Sequence, residues 1–196
     1  DIRWGVDTAV AQIGALGGPV AMQARFSDLV VLAKPYGTGA GAVAEAILEA
    51  AIFEGHAPVL VLPEGYSSAD FGSRIVVAWN QSDEALVAAR AALPLLKAAN
   101  AVDITIIDPP AHGPERSDPG GMLSQLLSRH GVHAEVSVLA KTLPRASDVI
   151  SRHARDIDAD LIVMGAYGHS RFREAILGGS TRNMLEMAET PVFMAH

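Results

Sequence analysis

The feature that most constrains this chain is a series of short apolar runs, most of them continuous rather than alternating, at residues 29–32, 59–62, 75–78, 104–107, 136–139, 161–164 and 192–194. A strand with one face in water alternates apolar and polar residues, whereas a strand that is apolar at each position is buried on both faces. Between the runs lie Ala-rich stretches with helical spacing, such as the one carrying Leu86, Ala89, Leu93 and Leu96. Doubly buried strands alternating with helices predict βα units joined by right-handed crossovers. The expected fold class is therefore α/β: a Rossmann-like open parallel sheet with helices on both faces. Composition agrees, because 49% of the residues are hydrophobic but only 5% aromatic, which leaves Ala, Val, Leu and Ile to build the interior.

Residues 73–196 predict a complete five-stranded unit. Its strands are expected at 75–79, 102–107, 134–139, 160–165 and 191–195. Its helices are expected at 84–99 with a kink at Pro94, at 120–130, at 145–156 and at 180–189. The Pro/Gly-rich stretch 109–121 predicts a mobile loop, and 64–68 a linker. Residues 1–66 echo the later part of this unit. Ala24-Arg25 leads through Asp28 into the run 29–32, as Ala154-Arg155 leads through Asp160 into 161–164. Pro58-Val59 and Pro191-Val192 come at about the same distance beyond. This reads as a tandem duplication whose first unit is partial. Its alignment sets residues 2–6 against the strand at 135–139, and puts the first unit's two opening strands outside this chain. Proline at a strand start marks an edge, so 59–62 and 192–195 are expected to be the final strands of their units. Pairing across a pseudo-two-fold axis would cover both edges, with the glycine loop 165–182 facing away from the seam. Sheet surface left open by the partial unit would allow further self-association.

Fifteen Lys and Arg against 22 Asp and Glu give a net charge of −7, which repels a polyanion and argues against a nucleic-acid partner. The chain has no cysteine, so thiolate nucleophiles, iron–sulfur clusters and Cys-bound zinc are excluded. No apolar run approaches the roughly 20 residues of a membrane span, and Asp1-Ile2-Arg3-Trp4 does not open a signal sequence; a cytoplasmic location is expected. Neither a His-Glu-x-x-His metal motif nor a Gly-Lys-Ser or Gly-Lys-Thr phosphate loop is present. Ser82-Asp83-Glu84 reads as a helix cap with two acids after it that complement the helix dipole.

Chemistry is concentrated in residues 164–182, a loop leaving the carboxyl end of a strand and ending where a helix starts. Open α/β sheets bind ligands at such ends. Glycines let backbone N–H groups approach a phosphate, while Ser180 and Thr181 offer hydroxyls to an anion at the helix start. Arg171, Arg173 and Arg182 outweigh Glu174 and make the loop locally cationic. The counterpart after the first run, 34–41, has Gly37, Gly39 and Gly41 but neither the nine-residue spacing nor a Gly-Ser-Thr close, and reads as loop flexibility rather than phosphate binding.

The spacing of Gly165, two residues, Gly168, nine residues, Gly178 and then a hydroxyl cluster resembles the glycine motif of the universal stress protein family. The strand leading into Ala78-Trp79-Asn80-Gln81-Ser82, the helix with Ala91-Ala92-Leu93-Pro94, the strand Asp160-Leu161-Ile162-Val163-Met164 and the Pro191-Val192 strand resemble it too. The resemblance implies ATP or a related adenine nucleotide as ligand, with Mg²⁺ accompanying it, and pairing through the final strand. It puts Gly165, Gly168, Gly178, Gly179, Ser180 and Thr181 at the phosphates, Asn80 at the ribose, and Ile107 or Met164 at the base, with Ala78 alongside. Asn80 stands where the family usually has Asp, Gln81 where it usually has Gly, and Gly179 where it usually has Ser or Thr. The expected function is regulatory, with nucleotide binding ordering the loop that a protein partner reads. A slow ATPase or self-phosphorylating enzyme using Ser180 or Thr181, and a structural module with no ligand, are the alternatives.

Overall fold

Each strand expected at an apolar run forms within one residue of its expected bounds: β1 Val30–Ala33, β2 Val59–Leu62, β3 Arg74–Ala78, β4 Ala101–Ile107, β5 Ala134–Leu139, β6 Leu161–Gly165 and β7 Val192–Ala195. The computed structural model describes residues 3–37, 41–68, 71–109, 117–166, 168 and 179–196. Those residues make one seven-stranded sheet in the order β1-β2-β7-β6-β3-β4-β5. All neighbours are parallel except β2 and β7, which run antiparallel with Val59 opposite Met194, Leu60 opposite Phe193 and Val61 opposite Val192. The two segments expected to meet are therefore hydrogen-bonded neighbours. All six of these side chains are at most 3% exposed, and burying each contributes about 1.5–3 kcal/mol.

One face of the sheet is covered by α1 (Gly17–Ala24), α2 (Ala42–Glu49, continued by a π-helical turn Ala50–Glu54), α6 (Ala146–Asp156) and α7 (Gly179–Met187). Leu48, Ile52, Val61, Ile162, Met184 and Leu185 pack there. The other face carries α3 (Asp83–Ala91), α4 (Leu93–Ala98) and α5 (Gly121–Arg129), whose Ala88, Ala89, Leu96, Leu123 and Leu127 meet Ile75, Val77, Ile104 and Val163. Alanines dominate α3 because small side chains let a helix lie close on a sheet. Asp160 fixes the register of β3 against β6: its two carboxylate oxygens accept from Ser73 N and Arg74 N, each at 2.9 Å. No helix among the described residues is long and apolar enough to cross a membrane.

Three expectations are corrected. The single kinked helix over 84–99 is two helices that meet at Ala92. Pro94 has no N–H for the carbonyl of Arg90, and its ring collides with that carbonyl, so α4 starts afresh with the N–H groups of Leu95 and Leu96 on Ala92 O. No strand forms over residues 3–6, and Ile2 lies outside the described residues. The repeat sets this segment against β5, which is held by its ladder to β4; among the described residues the first segment has no counterpart of β4, and Trp4 and Val6 are left 84% and 79% exposed. Arg182, expected to face away from the seam, lies over the Tyr36 ring with its guanidinium carbon 5.0 Å from the centroid. Helix α7 shares its core with α2, and a long Arg side chain reaches across that packing. Residues 110–116, the centre of the expected mobile loop, are outside the described part.

Candidate functional site

Strand order locates the site before any side chain is considered. From β3 the sheet grows through β4 to β5 on one side, and then the chain returns to lay β6 on the other side of β3. The connections after β3 and β6 diverge, which opens a crevice at their carboxyl ends, the switch point where open α/β sheets take ligands. A cavity of about 380 Å³ lies there, within the size range of small-molecule sites. Its floor is Ala78 of β3, Thr105 and Ile107 of β4, and Met164 and Gly165 of β6; α6 contributes Ala146, Ser147 and Ile150, and α7 contributes Gly179, Ser180, Thr181 and Met184. Nine of the ten residues singled out from the sequence line it: Ala78, Asn80, Ile107, Met164, Gly165, Gly168, Gly179, Ser180 and Thr181. The tenth, Gly178, lies outside the described residues, as do residues 169–177 of the same loop.

The mouth is built by the turn from β3 into α3. Asn80 Oδ1 accepts from Ser82 N at 3.1 Å, and Ser82 Oγ in turn accepts from Ala85 N at 3.1 Å as the N-cap of α3. Asn80 thus spends its carbonyl on the turn and keeps its amide N–H groups. A carboxylate in its place would present a second acceptor; Asn80 presents donors, which a sugar hydroxyl oxygen accepts. Gln81 sits at φ 63°, a left-handed conformation that glycine adopts without strain and other residues do not. The two glycines nearest the floor differ. A Cβ on Gly165 would stand 2.5 Å from Ala85 N and 2.7 Å from the carbonyl carbon of Glu84, so glycine there is demanded by the approach of α3. A Cβ on Gly179 would meet only Asn183 Nδ2, at 3.9 Å; the protein itself does not require glycine there.

Under the cavity a buried polar cluster ties three elements together. Asp103 of β4 accepts from Thr105 Oγ1 and from Ser137 Oγ of β5, each at 2.5 Å, and His153 Nε2 of α6 lies 3.1 Å from the same carboxylate. Thr105 therefore commits its proton to Asp103 and can act toward the cavity only as an acceptor. The cluster also anchors α6, which supplies one wall.

Sequence reasoning missed Trp79, Ser82, Glu84, Thr105, Ala146, Ser147, Ile150 and Met184 as lining residues. Most belong to helix faces, and which face closes a cavity depends on how the helix docks. Ser147 did carry a signal: it is one of two hydroxyls, with Ser151, on the helix face that buries Ile150 and Ala154, and Ser151 meets Met184 Sδ at 3.5 Å. Ser147 is 3% exposed, and its Oγ has no hydrogen-bond partner among the described residues; Trp79 Nε1 is in the same position. An unsatisfied buried hydroxyl costs about 1–3 kcal/mol.

Comparison with known proteins agrees with this architecture. The model of the universal stress protein family matches residues 73–196. A universal stress protein of Synechocystis sp. is 35% identical over 72 residues, 37% of this chain and 24% of that protein. A universal stress protein of Archaeoglobus fulgidus superposes with a TM-score of 0.70 at 15% identity, over 91% of this chain and 64% of its own. The match thus spans less than two thirds of either relative. A universal stress protein crystallised in complex with cAMP superposes with a TM-score of 0.51 at 22% identity, over 63% of this chain and 96% of its own; at such identities the two superpositions speak for the fold alone. With the family model matching the whole of β3 to β7, the chain belongs to the universal stress protein family.

Proposed function

We propose that the protein is a regulatory binding module that takes an adenine nucleotide, ATP in the first place, in the cavity over β3, β4 and β6. The observation that carries this reading is the convergence of Asn80, Ile107, Met164 and the glycine–hydroxyl residues Gly168, Gly179, Ser180 and Thr181 on one crevice at the switch point. The divisions of the cavity suit the parts of such a ligand. Ser180 and Thr181 open α7 beside Gly179, where backbone N–H groups and the helix dipole favour phosphate. The amide of Asn80 suits a ribose hydroxyl, and Ile107, Ile150 and Met164 offer flat apolar walls to a base. Gly179 needs no glycine for its own packing, and an orphaned hydroxyl at Ser147 leaves a polar partner to be supplied. A relative crystallised with cAMP is a precedent for nucleotide chemistry on this fold.

In this reading residues 73–196 are the complete nucleotide-binding unit, residues 1–66 a partial and degenerate one, and Mg²⁺ arrives with the nucleotide. The protein works in the cytoplasm by a population shift: bound nucleotide favours one arrangement of the surface around α7, and a protein partner reads it. Acid extraction of the purified protein with subsequent chromatography should release adenine nucleotide. ATP titration of a Trp4→Phe protein, monitored through Trp79 in the cavity wall, should saturate. Gly178→Val should weaken that binding at least tenfold while the protein stays folded. No nucleotide in the extract and no ATP response in titration would overturn the reading.

A further inference from the structure

We infer that Ser147 is a specificity-determining residue of this cavity, whose hydroxyl hydrogen-bonds the heterocycle of the bound nucleotide. The inference rests on the nucleotide reading and says which end of the ligand lies where. Ser147 is the second residue of α6, too far along to act as its cap, and the residue before the helix, Arg145, makes no side-chain cap either. A serine deeper in a helix usually returns its proton to the carbonyl four residues back; for Ser147 that residue is Leu143, which precedes the helix. Both local uses of the hydroxyl are closed, and the side chain is 97% buried against the cavity with no partner for Oγ among the described residues. As the chain stands Oγ is shielded from water, and one rotation about χ1 to another staggered position redirects it.

The surroundings choose the kind of group it meets. In the cavity Ala146 and Ile150 share its helix, Ile107 and Met164 belong to the same apolar cluster as Ile150, and Thr105, which is 1% exposed, already donates to Asp103. A phosphate moved into such a place would lose its hydration with no cation among the described lining residues facing it, which is costly, whereas the polar edge of a neutral ring loses little and gains a donor. Ser147 can give a proton to a ring nitrogen, and Thr105 can receive one from an exocyclic amine. An aminopurine edge offers that pair.

The test measures ATP and inorganic tripolyphosphate binding to the full chain by calorimetry, in the natural protein and in Ser147→Ala, with unliganded melting temperatures for both. The expected result is a five- to tenfold weaker affinity for ATP, about the scale of one neutral hydrogen bond. Tripolyphosphate affinity should be unchanged, and the melting temperature equal or higher, since an unsatisfied hydroxyl has been removed. Undiminished ATP binding would overturn the inference and leave the nucleotide reading standing. Equal losses for both ligands would move Ser147 to the phosphate end and overturn it as well, as would a lowered melting temperature, which would assign the hydroxyl to the fold. A natural protein that binds neither ligand would bring down the nucleotide reading and this inference together.

Discussion

The order helix, strand, helix, strand occurs twice, as α1–β1–α2–β2 and as α6–β6–α7–β7, and the two copies meet back to back at β2 and β7. The cavity of the candidate site lies over the first strand of the second copy. Strand β6 lies between β3 and β7 and is buried from Leu161 through Met164, whereas β1 has, among the described residues, β2 as its single neighbour and alternates, with Val31 53% exposed. A crevice belongs to two adjacent strands whose connections diverge; β6 shares one with β3, and β1 has no such neighbour. After β1 the chain instead turns at Gly37, with φ 114°, and buries Tyr36 to 5% exposure, its ring under Arg182 and its hydroxyl 3.4 Å from Glu45 Oε1. Glycines after a strand therefore do not make a ligand loop by themselves; the neighbouring strand does.

The seam is where this comparison can be broken with the largest effect. Val30 N donates to Pro58 O and Lys34 N to Leu62 O, so by the alternation of the ladder Val31 N–H points to the open edge. By the same alternation residues 58, 60 and 62 face β1, and Val61 N–H faces β7 opposite Val192. Val61→Pro should cost about 3 kcal/mol, the scale of a proline inside a regular element. Val31→Pro, which removes an N–H outside the ladder, should cost under about 1 kcal/mol. Urea midpoints of the two variants check this, and equal losses would contradict the edge assignment of β1.

A second pair of variants separates packing glycines from site glycines. Gly165→Ala drives a Cβ into the backbone of Glu84 and Ala85, which cannot swing aside as a side chain would. Overpacking of this kind costs about 1–3 kcal/mol, and it should displace the start of α3 together with Ser82 and Glu84 of the cavity. Gly179→Ala has open space and sits in a helical first turn. Its melting temperature should stay within about 2 °C, while ATP affinity falls. Thermal melts with parallel ATP titrations decide; a Gly165→Ala protein as stable as the natural one would mean that α3 is not held where it stands.

Much of this architecture was legible because it depends on local pattern. Short apolar runs, most of them continuous, marked seven strands, and the Pro-Val starts of β2 and β7 marked the seam. The cavity floor was legible for a related reason: residues at the carboxyl ends of parallel strands converge whatever covers them. The hidden part depends on docking. Whether residues 3–6 become a strand turns on a neighbour elsewhere in the sheet, and the inclusion of Ser147, Ile150 and Met184 turns on the rotation of α6 and α7 about their axes. The division of labour between Gly165 and Gly179 was equally hidden, since both are simply glycine in the sequence.

The smallest expected effect concerns the turn at the cavity mouth, where the chain after β3 differs from the chain after β1 in using a bulky residue at positive φ. Gly37 turns the chain after β1 without strain, but Gln81 turns it after β3 at φ 63°. A left-handed residue other than glycine costs about 1–2 kcal/mol, and Gln81→Gly relieves that strain. The same change frees the unfolded chain and returns about 0.4–1 kcal/mol of the gain. Gln81 is exposed, so little packing is lost. The balance is a stabilisation of up to about 1 kcal/mol, read as a higher urea midpoint at constant slope. Because the glycine keeps the turn that holds Asn80 Oδ1 on Ser82 N, ATP affinity should be equal or better where the shorter residue widens the mouth. A lower midpoint would mean that the Gln81 side chain makes contacts worth more than its backbone strain, and that the departure from glycine at this position stabilises the site.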